Sequence, residues 1–380
     1  MSPRAKAAAA RRGGRARGRG GDDPPEIIRR KSDHVGICLR DDVQHSTDWW
    51  DDVQLVHCAM PEVDLAAIDT TTSLFGHDIG APLVIASMTG GHEHGADIND
   101  HLAAAAAELR LPMGVGSQRP ALEHPSYART YAALKEHDVP LVIANIGAPQ
   151  LVRQRDGAAM GPREVRAAME MIDADMVAVH LNFLQEVAQP EGDTNAEGVL
   201  EAIALLASEF PVIVKETGGG ISQEIALLLK AAGVRGIDVG GAGGTSFAAV
   251  EAVRSQERGL ADRARLGWAF KDWGIPTPVS TLEASVVGLP IIATGGVRSG
   301  LDIARAVVLG ASAAGVARRV LGPSLKGRRE TEGALRELIA ELRAAMFLTG
   351  ARDVGALRER DFILSDRLMP WVDRLVREGE

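Results

Sequence analysis

Residues 176–186 read Met-Val-Ala-Val-His-Leu-Asn-Phe-Leu-Gln-Glu, an apolar run that ends in His180, Asn182, Gln185 and Glu186. A buried parallel strand has no structural need for four polar groups at its C-terminal end, whereas in an α/β barrel that end is where ligands sit. Other runs end in kindred groups. Gly116-Ser-Gln-Arg119 offers a guanidinium that is costly there unless it meets an anion. Asn145-Ile-Gly147 offers an amide, donor and acceptor together, suited to the edge of a heterocycle. Lys215-Glu216-Thr-Gly-Gly-Gly220 puts a lysine at a strand end. Glu216 is adjacent and so points to the opposite face, which favours a ligand as the partner of Lys215.

Glycines follow the other runs: Ser87-Met-Thr-Gly-Gly91, Gly240-Gly-Ala-Gly-Gly-Thr245, Thr294-Gly-Gly-Val-Arg-Ser-Gly300 and Gly315-Val-Ala-Arg318. Small residues let a planar ligand approach the backbone. Glycine-rich loops after the last two strands, with N–H groups aimed outward, form the usual phosphate site of a barrel. A phosphate held there, with a planar group lying across the strand ends and Lys215 near its edge, describes flavin mononucleotide. Arg119, His180, Asn182, Gln185, Glu186 and an upstream Arg30-Lys31 arm are then left over. They suit a substrate with a second, highly charged phosphate group, and Glu186 adds an oxygen ligand for Mg²⁺, which binds one or two carboxylates plus substrate phosphates.

The elements that must position these groups recur from residue 82 onward. Eight short runs rich in Val, Ile and Ala are expected as strands: Pro82–Met88, Met113–Ser117, Leu141–Ile146, Met176–Asn182, Val212–Glu216, Gly236–Val239, Ile291–Thr294 and Ala314–Ala317. Amphipathic helical patterns such as His101–Arg110, Gly198–Ser208, Glu224–Ala232 and Leu301–Leu309 lie between them. Eight continuous apolar strands alternating with helices predict a (β/α)8 TIM barrel of the α/β class, with a doubly wound open sheet as the alternative. The expected organisation is a disordered basic tail over residues 1–25, an N-terminal arm and barrel-capping segment over 26–81, an FMN-binding barrel over 82–322, and a C-terminal helical extension over 323–380.

The formal charge of −9 is uneven. Seven basic residues and no acid lie in residues 1–20, so the remainder stands at −16, the difference between −9 and +7. An acidic body argues against nucleic acid as the main ligand, and an anionic substrate must be held by a few placed cations. Cys38 and Cys58 give neither metal spacing nor a disulfide framework. No run approaches 18 apolar residues, so no membrane-spanning helix is expected, and Ala7–Ala10 is too short for a signal peptide core. A cytoplasmic protein is expected.

Taken in order, Arg30-Lys31…His34, Met88-Thr-Gly-Gly91, Gly116-Ser-Gln-Arg119, Asn145-x-Gly147, His180-x-Asn-x-x-Gln-Glu186, Lys215-Glu216, Gly243-Gly-Thr245 and Gly295-Gly-Val-Arg298 resemble the type 2 isopentenyl-diphosphate Δ-isomerases over residues 29–350. The resemblance implies a flavoprotein that interconverts isopentenyl and dimethylallyl diphosphate with reduced FMN, NADPH or another reductant, and Mg²⁺. It implies FMN contacts at Met88, Thr89, Gly90, Ser117, Asn145, Lys215 and Thr245, with the FMN phosphate on Gly295, Gly296, Val297, Arg298, Ala317 and Arg318. Substrate would meet Arg30, Lys31, Ser117, Gln118, Arg119, His180, Asn182 and Gln185, and Glu186 would bind Mg²⁺. A homo-oligomer, tetramer or octamer, is expected. Two features depart from the pattern: the long basic tail, and Phe247 where tryptophan is frequent.

The isomerisation moves a proton and a double bond with no net redox. The strand ends offer no pair of carboxylates poised as acid and base. The expected acid and base is therefore reduced flavin itself, with Lys215 stabilising the anionic ring and His180 and Gln185 orienting the substrate. The competing reading on the same fold is an FMN-dependent oxidoreductase of small hydroxy acids. That chemistry wants a histidine base and an arginine clamp after the sixth strand, and Gly240–Thr245 holds neither. A non-catalytic flavin-binding barrel would leave Arg119 and Gln185 without a task.

Overall fold

The computed structural model describes residues 25–378 apart from 41 and 156, with side chains described as far as residue 374. The tail expected over residues 1–25 lies outside them but for Pro25. Eight strands close into a barrel: β1 (Leu83–Ile85), β2 (Met113–Gly114), β3 (Val142–Gly147), β4 (Met176–Leu181), β5 (Val212–Glu216), β6 (Gly236–Asp238), β7 (Ile291–Thr294) and β8 (Ala313–Val316). Every neighbouring pair is parallel, and β8 pairs with β1 to complete the ring. This is the expected architecture; β1 and β2 are three to four residues shorter than their apolar runs, and the other six match theirs to within one residue at each end. Helices fill the gaps as expected: Gly95–Leu109, Val199–Glu209, Gln223–Ala231 and Gly300–Val308.

The strands are Val-, Ile- and Ala-rich on both faces because both are covered, inward by the barrel interior and outward by helices. Val177, Val179, Val212 and Val214 are fully buried in the main core, and Ala178 and Ile213 face a second cluster with Leu74 and Ile79. Parallel register then decides which polar side chains share a face. Gly147 pairs with His180, His180 with Lys215, and Lys215 with Asp238, so these four positions form one row at the C-terminal end of β3 to β6. The glycine is required there: a Cβ on Gly147 would stand 3.1 Å from His180 Nε2 and still closer to the Gln150 side chain.

The segment before β1 begins with an arm helix, Glu26–Cys38. Trp50 then inserts into the core, its indole donating to the Gly295 carbonyl at 2.8 Å. After β8, the chain runs through Arg328–Leu348 and ends in Met369–Glu378. Strand Phe362–Leu364 pairs antiparallel with Val53–Leu55, so the two extensions meet on the outside of the barrel. Among the described residues no helix is long and apolar enough to cross a membrane.

Candidate active site

The C-terminal strand ends and the arm helix enclose one cavity of about 660 Å³. Met88, Thr89, Ser117, Asn145, Lys215 and Thr245 line it toward the barrel axis, with Gly295, Gly296, Val297, Arg298, Ala317 and Arg318 at one end. Arg30, Lys31, Arg119, His180, Asn182, Gln185 and Glu186 line the rest. Two expected residues do not line it. Gly90 is packed against Tyr131. Gln118 is turned away: its amide donates to the Ala168 carbonyl at 2.7 Å and accepts from Asn145 N–H at 2.9 Å. It is fully buried, and its polar atoms serve the β3 backbone and a neighbouring helix, so the expected substrate contact is corrected to a structural one.

Within the row of strand ends, Lys215 Nζ meets Asp238 Oδ2 at 2.7 Å. The expectation that Lys215 answers a ligand rather than an acid is corrected to this extent: the acid exists, one strand over, while the lysine also lines the cavity. His180 Nδ1 lies 2.8 Å from Asn145 Oδ1. The Asn145 amide nitrogen donates to the Val115 carbonyl, which fixes its oxygen toward the histidine. That network assigns the proton to Nδ1 and leaves Nε2 an acceptor. Burial, and then the charges of Lys31 and Lys215, push His180 down to about 3, so the ring is neutral.

Glu186 sits at the N-terminus of helix Phe183–Ala188. Its carboxylate accepts from Asn182 Nδ2 at 2.7 Å, Asp193 N–H at 2.8 Å and Gln189 Nε2 at 3.2 Å. Burial pushes its carboxyl up, against those donors and the charge of Arg30. Asn182 Oδ1, on the same amide, is buried with no hydrogen-bond partner. A carboxylate beside an unsatisfied amide oxygen is the donor set of a hard cation. Among the described residues no cluster of three or more His, Cys, Asp or Glu side chains offers a metal cage, so Mg²⁺ here would lean on substrate oxygens. Arg119 is held by Glu123 and Asp193, each at 2.7 Å.

The arm helix brings Arg30 and Lys31 over this end. Burial, followed by the neighbouring Arg30, lowers Lys31 to about 8. The helix is tied down through a buried acid that the sequence reading missed, Glu251 on helix Phe247–Glu257. Glu251 Oε1 faces His34 Nε2 at 2.8 Å and accepts from Gln185 Nε2 at 2.9 Å, while Oε2 accepts from Arg254 at 3.1 Å. Burial alone would raise its carboxyl; His34, Gln185 and Arg254 outweigh that and bring it down to about 2. His34, in turn, is lowered by burial, so a neutral ring donating Nε2–H to an anionic Glu251 satisfies both. Arg254 is itself buried and also pairs with Glu26, Asp33 and Glu191.

At the opposite end, Gly295 and Gly296 adopt φ +122° and +72°, a turn that only glycine enters without strain. Helix Arg318–Ser324 starts at Ala317 with no side-chain cap, leaving its first N–H groups for an anion. Thr294 Oγ1 lines the same end, buried and without a partner. Two expected phosphate ligands are committed elsewhere. The Arg298 guanidinium clamps Asp48 and donates to the Gly243 carbonyl at 2.9 Å, and its N–H goes to Asp302. Arg318 donates to the carbonyls of Cys38 and Leu39, where a cation complements the end of the arm helix. Both therefore fasten the N-terminal segment over the cavity. FMN fits what remains: an open turn and an uncapped helix for its phosphate, an orphaned hydroxyl beside them, and Lys215 deeper in the barrel.

The chain matches the model of the FMN-dependent dehydrogenase family over residues 39–124 and 166–364. It is 45% identical to the isopentenyl-diphosphate delta-isomerase of Methanothrix thermoacetophila over 344 residues, covering 90% of this chain and 94% of the relative. It is 44% identical to the same-named protein of Thermoplasma volcanium over 347 residues, covering 91% and 99%. Among solved structures, a mandelate oxidase with benzoyl-formic acid superposes with TM-score 0.57 at 19% identity, covering 89% of this chain and 97% of the other. A Pediococcus acidilactici lactate oxidase superposes with TM-score 0.59 at 17% identity, covering 90% and 95%. At such identities these two speak for the barrel fold alone. The chain belongs to the isopentenyl-diphosphate delta-isomerases, within the FMN-dependent dehydrogenase family.

Proposed function

We propose that this protein interconverts isopentenyl and dimethylallyl diphosphate, with the flavin across β1 to β3 and β5 to β8 and the diphosphate under the arm helix. The observation that carries this reading is the division of one cavity into two polar ends that each suit an anion. One end is built from backbone donors, the other from Arg30, Lys31, Arg119, Asn182 and Glu186. A single mononucleotide leaves the second set without a task.

Reduced FMN, when bound, supplies the acid and base of the proton shift. The chain's own residues do the rest. Lys215, paired with Asp238, would offer its remaining N–H donors at the barrel axis to the negative charge of a reduced ring. Arg30 and Lys31 grip the diphosphate, and the arm that carries them closes off water. Glu186, with Asn182 Oδ1, would hold Mg²⁺, which would supply positive charge for the diphosphate. Gln185, fixed by Glu251, and neutral His180 flank the carbon chain. NADPH is the proposed reductant.

A tetramer or octamer is supported by apolar side chains left exposed on the outer helices, among them Leu205, Leu227 and Leu228. The proposed setting is the cytoplasm, whose thiol pools keep Cys38 and Cys58 free, as they are here.

The test is turnover. Purified protein loaded with FMN is expected to convert isopentenyl diphosphate when reduced and given Mg²⁺, and to leave lactate and mandelate untouched when its FMN is oxidised. Oxidation of a hydroxy acid with no isomerisation would replace this reading by the oxidoreductase one.

A further inference from the structure

Asp238 interrupts an otherwise apolar strand, Gly-Ile-Asp-Val at residues 236–239, and its side chain is 8% exposed. Parallel register sets it opposite Lys215, whose side chain is 9% exposed, and Oδ2 takes one of the three ammonium protons at 2.7 Å. Oδ1 is buried with no hydrogen-bond partner. Lys215 lines the cavity, and Asp238 stands behind it. A buried carboxylate with one unsatisfied oxygen is costly, and an apolar residue would pack there without that cost. Something other than packing is served by it.

We propose that Asp238 is a positioning residue that sets the charge the flavin ring meets, holding the Lys215 ammonium in place and cancelling most of its field. This inference rests on the placement of FMN proposed above. The pair is neutral as a unit, so the site stabilises the reduced ring through two directed N–H donors and not through an uncompensated cation. The strength of the reductant needed to load the enzyme follows from that balance.

The test is the two-electron midpoint potential of the FMN-loaded protein. Asp238→Asn keeps the shape and removes the counter-charge. Reduced FMN is expected to gain at least about tenfold in affinity relative to oxidised FMN, a positive shift of about 30 mV for a two-electron couple. Asp238→Ser, with room for a water, is measured alongside in case the amide is not tolerated, and is expected to shift in the same direction. Asp238→Glu restores the charge and is expected to return the potential toward wild type. KM for isopentenyl diphosphate is expected to be unchanged in all three. A potential unmoved or shifted negative in both neutral variants overturns the proposal. If the wild-type protein takes up no FMN, the placement falls and this inference with it; if it loads FMN and the variants leave the potential alone, only this inference falls.

Discussion

At the end of the cavity formed by β7 and β8, the groups proposed to receive a phosphate are backbone N–H groups on a glycine turn and an uncapped helix. At the arm end they are long side chains already engaged: Arg119 with Glu123 and Asp193, Arg30 with Glu191 at 4.0 Å. Backbone donors lose no rotamer freedom when a ligand arrives. In the proposed placement Arg30 and Arg119 would exchange internal acids for substrate oxygens, and that exchange would make their contribution graded. Damage to the barrel end should therefore abolish chemistry, and damage to the arm end should weaken binding by steps.

The largest effect is expected at the barrel axis. Lys215→Ala should lower kcat with pre-reduced FMN by about 10²–10³, the loss typical of one electrostatic donor. It also strands Asp238, and breaking a buried pair costs about 3–5 kcal/mol of stability. Stopped-flow turnover and urea melts would check both; near wild-type turnover would erase the contrast between the two ends.

Next comes the arm. Replacing Arg30 and Lys31 together by Ala should raise KM for isopentenyl diphosphate about a hundredfold, from about 1.5 kcal/mol for each charge-assisted contact. FMN content, read from the visible spectrum, should stay constant. Glu186→Gln should raise the Mg²⁺ concentration for half-maximal activity about tenfold, the order of loss when a metal site is weakened. An unchanged Mg²⁺ titration would move the metal elsewhere.

Two finer effects sharpen the comparison. Lys31 is lowered to about 8, and only its protonated form is a cation for the diphosphate. With the sign so fixed, kcat/KM should be highest below pH 8 and fall as pH rises through about 8. In Lys31→Arg that limb should disappear, because a guanidinium stays charged. Smallest of all, deleting residues 2–25 should leave kcat and KM unaltered, since Arg30 and Lys31 remain. A tail deletion that mimics the double replacement would contradict the role given to the arm.

The barrel was legible in the sequence because continuous apolar runs at even spacing have few other uses. The strand ends were legible for the same reason: His180, Lys215 and Asn145 stand out against Val, Ile and Ala. What stayed hidden depends on pairing between strands and on helix faces. Asp238 is the answer to Lys215, yet only the β5–β6 register shows it; the adjacent Glu216 drew attention and instead folds back on the N–H groups of Thr217 to Gly220. Glu251 lies on a helix between buried alanines and valines, where sequence gives no sign that it will meet His34 from 217 residues away. Gln118 and Arg298 carried the right chemistry at the right place, and their side chains were claimed by local partners that no motif encodes.

The central claim is that this cavity isomerises a prenyl diphosphate only with reduced flavin at its barrel end and a charged arm at the other. The direct measurement is conversion of isopentenyl diphosphate, followed by proton NMR, in FMN-loaded protein with Mg²⁺, oxidised and then reduced in the same tube. Dimethylallyl diphosphate should accumulate to equilibrium only after reduction. Equal conversion with oxidised FMN or with flavin-free protein, or none in any state, would contradict the claim.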